Sequence, residues 1–117
     1  MPEAAPTVEQ HFAGKDPAVR EIYDRLLSEV GKLGELTEDP KKTSIHLNRR
    51  TAFAGIATRK SSLVLTLKSA QDLRSPRVKK HEQTSASRWH LEVPLTFPAD
   101  VDAELVSWLK AAYEISG

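Results

Sequence analysis

The sequence of 117 residues contains no cysteine, and no apolar run approaches the roughly 18 residues that a membrane-spanning helix requires. The absence of cysteine excludes disulfide bonds, thiolate metal sites and cysteine nucleophiles. It also suits a reducing compartment, and residues 1–8 lack the basic and apolar segments of a secretory signal. We therefore expect a soluble, cytoplasmic protein without a membrane segment.

The short motifs of common enzymes are missing as well. No serine lies in a G-x-S-x-G pattern, the five glycines form no phosphate-binding loop, and no two histidines have the H-E-x-x-H spacing. The sequence thus indicates no catalytic residue, no cofactor and no metal site. A domain without enzymatic activity is the favoured interpretation.

What is present is the composition of one globular domain. Hydrophobic residues make up 39% of the chain and charged residues 28%, which is the balance of a folded protein rather than of a disordered one. A chain of this length holds a single core. We expect a loose tail over residues 1–10, at the end of which Thr7 can cap a short helical turn through His11 and Phe12, and one domain over residues 11–117.

Two stretches have the apolar spacing of amphipathic helices. The first begins at Asp16-Pro17, where the Asp16 side chain is expected to accept from the first-turn amides, and Gly34 is expected to end it. The closing helix is expected to start between Pro98 and Asp102. In both, apolar residues recur at intervals of three and four. The stripes are Val19, Ile22, Tyr23, Leu26, Leu27, Val30 and Leu33, and Val101, Leu105, Trp108, Leu109, Ala112 and Tyr113.

Between these helices the apolar period changes to two, which is typical of strands. Strands are expected around residues 45–47, 53–57, 63–67, 78–83 and 89–95, and residues 37–42 are interpreted as a turn. We predict an α+β two-layer sandwich, in which an antiparallel sheet of four to five strands carries the N- and C-terminal helices on one face. The opposite face would present Ser44, His46, Asn48, Arg50, Thr66, Lys68, Arg88 and His90 to solvent.

Charge is unevenly distributed along the chain, although the formal net charge is only +1. Residues 41–90 carry twelve Lys and Arg against two Asp and Glu, whereas the segments on either side are acidic. If these cations gather on one face of the sheet, they form a surface for an anionic partner such as nucleic acid. The residues predicted to bind it are Lys41, Lys42, Arg49, Arg50, Lys79, Lys80 and Arg88. The alternative is that Lys and Arg keep edge strands and turns soluble and discourage strand pairing.

The histidines offer a second kind of site. His46 and His90 lie on predicted strands at positions that can share the polar face, where they are candidates for lining a pocket together with Arg50. Surface or hydrogen-bonded structural histidines are the simpler alternative, because no acidic residue is placed by the sequence to orient them.

Four stretches carry a family resemblance: HFAGKDPAVREIYDRLL at 11–27, KKTSIHLNRRTAFAGIATRKSSLVLTL at 41–67, RWHLEVPL at 88–95 and VDAELVSWLKAAYE at 101–114. They resemble a family of small bacterial domains of unknown function, which occur alone or as the C-terminal part of longer proteins. The resemblance implies a fold but no activity. Its most typical positions are His11, Phe12, Lys42, Ile45, Phe53, Trp89, His90, Ala112 and Tyr113.

A weaker similarity links the chain to MmcQ/YjbR-like and frataxin-like α/β domains. These also have an opening helix, an antiparallel sheet and a closing helix with an aromatic step, here Ala112-Tyr113. The first group is regarded as similar to DNA-binding domains. The resemblance therefore slightly favours nucleic acid as the partner.

Three functions stay open at this point. The first is a binding or accessory module for an anionic partner, with nucleic acid as the main example. The second is a protein-interaction module or homodimer, since acidic helices and a basic sheet are complementary. The third is a small-ligand or enzyme-like pocket on the open sheet face, built around His46, His90 and Arg50.

Overall fold

The computed structural model describes residues 5–117. In chain order the elements are helices α1 (Val8–Phe12) and α2 (Pro17–Gly31), strands β1 (Thr37–Pro40), β2 (Ile45–Asn48), β3 (Ala52–Thr58), β4 (Leu63–Ser69), β5 (Lys80–Ser85) and β6 (Arg88–Leu95), a 3₁₀ turn at Pro98–Asp100, and helix α3 (Ala103–Glu114). No helix in this part of the chain is both long and apolar enough to cross a lipid bilayer.

The described residues contain one sheet of six strands in the order β1-β2-β3-β4-β6-β5, and every neighbouring pair is antiparallel. Helices α2 and α3 pack against the same side of this sheet, where the apolar stripes and the inward strand residues form the core. The α+β class is therefore confirmed. The sheet has six strands where four to five were expected.

The additional strand is β1, in a segment interpreted as a turn. That interpretation was wrong, because Thr37–Pro40 pairs along its length with β2 at the edge of the sheet. Two of its four residues are exposed and two are half-buried, so the segment has no apolar alternation that would reveal a strand. The strand predicted at 78–83 forms slightly later, at Lys80–Ser85.

Side-chain caps fix two of the helix starts. Thr7 and Gln10 form a reciprocal capping box at α1, which begins inside the segment predicted to be a loose tail; residues 1–4 lie outside the described part of the chain. At α3 the Asp102 carboxylate accepts from the Leu105 amide at 3.0 Å. Both caps satisfy amides that the first helical turn leaves without a partner.

Asp16 precedes α2 as expected, but its side chain does not cap the helix. The carboxylate accepts instead from the Ser61 hydroxyl at 2.5 Å, and the Asp16 amide donates to the Lys60 carbonyl at 2.8 Å. The expected cap was wrong because this carboxylate is engaged by the turn between β3 and β4. The start of α2 is thereby tied to the sheet.

Helix α2 ends at Gly31, earlier than the predicted Gly34. Gly34 has a φ of +153°, and the Tyr113 hydroxyl occupies the space where a Cβ at Gly34 would lie. That hydroxyl donates to the Glu35 carbonyl at 2.8 Å. The turn after α2 is therefore built against α3 and needs a residue without a side chain.

Candidate functional site

The open face of the sheet, opposite helices α2 and α3, has a depression at its centre because β3 carries only small outward side chains there. Its outward positions are Ala52, Gly55 and Ala57. A register shift between β2 and β3 skips Phe53, so Phe53 and the adjacent Ala54 are both buried on the helix side. The neighbouring strands β2 and β4 carry longer outward side chains, and a depression therefore runs along β3.

This depression encloses about 240 Å³. Gly55 lies between His46 on β2 and Thr66 on β4, and Lys68 lies opposite His90 on β6. Three basic side chains from three different strands, His46, Lys68 and His90, thus line one concave surface with a floor of glycine and alanine. Within residues 5–117, no group of three His, Asp or Glu side chains is placed to hold a metal ion.

Lys68 is the most constrained of the three basic groups. It is half-buried, and its ammonium donates to the Thr51 hydroxyl at 2.9 Å. Burial lowers the pKa of Lys68 below its ordinary value, and the positive charge of Arg88 lowers it further. Among the described residues Lys68 makes no ion pair. A cation in this position gains electrostatic stabilisation when an anion approaches.

Two carboxylates of the same face are engaged away from the depression, and a third, Glu82, lies on the edge strand β5 opposite His90. In the cross-strand row through Gly55, Asp39 pairs with Lys41 at 2.9 Å and Glu92 pairs with Lys80 at 3.6 Å. Hydrogen bonding to Lys41 is the main cause of the lowered pKa of Asp39. No Asp or Glu lines the depression itself.

The seven cations proposed as an anion-binding set are divided between three places. Arg49, Arg50 and Arg88 lie at the sheet end that also holds Lys68, whereas the Lys41-Lys42 pair lies in the β1–β2 turn at the opposite end. Lys79 and Lys80 lie at the start of the edge strand β5.

Arg49 also has a structural role. Its guanidinium lies 4.4 Å from the centre of the Tyr113 ring and donates to the Tyr113 carbonyl at 3.1 Å. Arg49 thus holds the end of α3 against the β2–β3 turn. Arg50 makes no side-chain hydrogen bond within residues 5–117, and only its backbone amide contributes, by donating to Ser116.

The pocket candidates His46 and His90 both line the depression, but Arg50 does not. The alternation of β4 placed Lys68 on the open face, although no sequence signal marked it as a site residue. Thr51 was missed, because its role depends on contacts with Lys68 and with the Ser116 carbonyl, which lie far away in the chain. No local sequence signal encodes such a contact.

Comparison with known proteins agrees with the expected uncharacterised domain. A family model described as "Domain of unknown function (DUF5655)" matches residues 8–116, which is nearly the whole chain. No curated protein matches the chain, and no solved structure matches it. The bacterial source and the similarity to MmcQ/YjbR-like and frataxin-like domains stay predictions.

Proposed function

The chain belongs to the DUF5655 family of domains of unknown function, and from its own geometry we propose that it is a small binding domain for an anionic ligand. The observation that carries the proposal is the convergence of His46, Lys68 and His90 on one depression without a carboxylate in its lining. Concave sites with a few convergent polar groups are where proteins hold small molecules.

The charge of the site selects the class of ligand. Lys68 supplies a half-buried ammonium, and the depression is also lined by the Thr66 hydroxyl and two imidazoles, which are further hydrogen-bonding groups. Oxygen anions, such as a phosphate or a short carboxylic acid, satisfy donors of this kind. A depression of about 240 Å³ favours a small ligand over a large one.

The test is an isothermal titration with inorganic phosphate and, separately, with citrate at low ionic strength. Removing the charge in Lys68→Gln should weaken the binding by about tenfold or more, because hydrogen bonds to charged groups contribute about 1.5–3 kcal/mol. The matched control is Lys42→Gln, which removes an exposed lysine at the other end of the sheet. Equal affinities of the wild type and Lys68→Gln would overturn the proposal.

Nucleic acid is the second candidate, favoured by the proximity of Arg49, Arg50 and Arg88 to the same end of the sheet. Against it, the one large hydrophobic side chain exposed in residues 5–117 is Phe97, which lies beyond the end of β6. The open face of the described residues thus lacks an exposed phenylalanine, tyrosine or tryptophan on which bases could stack.

Fluorescence anisotropy with labelled DNA and RNA oligonucleotides, at low and at physiological salt, separates this candidate from the first. The informative variant is Arg50→Glu/Arg88→Glu, because reversal of Arg49 would also break its contacts with Tyr113. Binding that survives physiological salt and is lost in the double variant would favour nucleic acid. Binding of phosphate without oligonucleotide binding would favour the small ligand.

A further inference from the structure

The two edges of the sheet differ in how they are protected. Strand β1 ends at Pro40, which lacks an amide hydrogen, and α1 packs beside it. Strand β5, at the other edge, contains no proline, all six of its residues are exposed, and its pairing with β6 shifts register only between Gln83 and Ser85. An edge that no other element covers presents amide and carbonyl groups that can pair with a further strand.

The side chains of β5 alternate between the two faces of the sheet. Lys80 and Glu82 lie opposite Glu92 and His90 and therefore belong to the open face. His81 lies opposite the buried Leu91 and belongs to the helix side, where it contacts the Asp72 carboxylate. Two opposite charges thus lie two residues apart on one face of an exposed edge, and the Lys80 ammonium also lies 3.6 Å from the Glu92 carboxylate of β6.

The charge pattern of Lys80 and Glu82 is self-complementary. If two copies of β5 pair antiparallel about a two-fold axis at His81, Lys80 of each copy lies directly opposite Glu82 of the other. Both ion pairs then form on the same face. The two-fold axis pairs the two β5 edges with each other, so the assembly stops at a dimer. We propose that β5 is a self-association edge, at which a second copy of this chain extends the sheet to twelve strands.

The two registers adjacent to this one are less favourable. A shift of one residue in each copy, with the axis at Glu82, would place two carboxylates directly opposite each other, and an axis at Lys80 would do the same with two ammonium groups. Like charges in directly opposed positions destabilise a strand pair. The axis at His81 is the one position at which both Lys80–Glu82 ion pairs form, and we infer that this register is the one used.

The absence of cysteine allows a direct test of this register. In His81→Cys the two introduced thiols would lie opposite each other, within reach of a disulfide. In Gln83→Cys, on the same strand and the same face, the two positions would be four residues out of register. That offset is about 13 Å along the strand and too long for a disulfide.

We expect rapid oxidative cross-linking of His81→Cys on a non-reducing gel and little of Gln83→Cys. Sedimentation velocity over a concentration series should show a dimer for the wild type, and Glu82→Lys should raise its dissociation constant about tenfold. Lys42→Glu is the control for charge reversal elsewhere. A monomer at all concentrations up to about the millimolar range, or equal cross-linking of both cysteine variants, would overturn the proposal.

Discussion

The ammonium of Lys68 donates to the Thr51 hydroxyl at 2.9 Å, and that hydroxyl donates to the Ser116 carbonyl at 3.4 Å. The amides of Arg50 and Thr51 donate to the same carbonyl at 3.1 and 3.2 Å. A chain of hydrogen bonds therefore joins the depression to the segment that follows α3. Through Thr51, the end of the last helix fixes where the positive charge of Lys68 lies.

Thr51→Val should weaken phosphate binding several-fold, because the Lys68 ammonium loses the acceptor that orients it. The pKa of Lys68, followed by NMR of its ε-methylene carbon, should fall further, since a hydrogen bond to the charged form is lost. Thr51→Ser keeps the hydroxyl and should retain both properties. An unchanged Lys68 pKa in Thr51→Val would show that the hydroxyl does not position this side chain.

Phosphate binding should also weaken at high pH. The pKa of Lys68 is already lowered, so the ammonium loses its proton at a lower pH than an ordinary lysine does, and the attraction for an anion disappears with that proton. A titration of affinity between about pH 8 and 10.5 checks this. Lys68→Arg keeps its charge over the whole range and should remove the dependence.

Gly55 controls the depth of the depression. An added Cβ would contact the Thr66 Cβ at 3.8 Å, which is an ordinary van der Waals distance. Gly55→Ala should therefore raise the free energy of unfolding by about 0.5–1 kcal/mol. Gly55→Leu should fill the depression and abolish phosphate binding, and urea unfolding should show that the variant is folded. Full binding by Gly55→Leu would place the ligand elsewhere.

Substitution by alanine should change the free energy of unfolding in opposite directions at Gly34 and Gly31. At Gly34 the φ of +153° and the Tyr113 hydroxyl both oppose a side chain, so Gly34→Ala should cost about 1–3 kcal/mol. At Gly31, the last residue of α2, an added Cβ has no neighbour within 4 Å, and Gly31→Ala should stabilise by about 0.5–1 kcal/mol. Urea denaturation of both variants measures this difference, and shifts of the same sign would contradict it.

Asp102 should contribute to acid sensitivity. Its hydrogen bond from the Leu105 amide, followed by the one from Arg77, lowers its pKa. Because the folded-state pKa lies below the unfolded one, the stabilisation is complete above the ordinary carboxyl pKa and is lost as the pH falls through the folded value. Asp102→Ala should cost about 1 kcal/mol at pH 7 and less at low pH. Asp102→Asn keeps an acceptor for the Leu105 amide and should therefore lose less stability at pH 7 than Asp102→Ala.

The elements with a strong apolar period were predictable from the sequence. In α2, α3 and β4 each buried position follows the helical or strand spacing, because these elements bury one side against a single core. Strand β1 was not predictable, since an exposed edge strand gains its stability from backbone pairing and leaves no apolar pattern.

The candidate site was predictable only in part. Strand alternation placed His46, Lys68 and His90 on one face, but the strand order, in which β6 precedes β5, decides that Lys68 and His90 are neighbours. The depression also depends on Phe53, which has no register partner on β2. Its side chain is buried on the helix side, where it makes an edge-to-face contact with Tyr113 in α3. Neither relation is local in the chain, so neither is readable from spacing.

Strand β4 has neighbours on both sides, whereas β5 is exposed along its whole length and pairs only with β6 among the described strands. In the monomer, amide protons of β5 should therefore exchange with solvent through local opening, long before those of β4, which require disruption of the core. His90 on β6 borders the strand that opens easily, while Lys68 belongs to the one that does not. Local opening of β5 thus exposes an edge of the strand that carries His90 and leaves both edges of the strand that carries Lys68 paired.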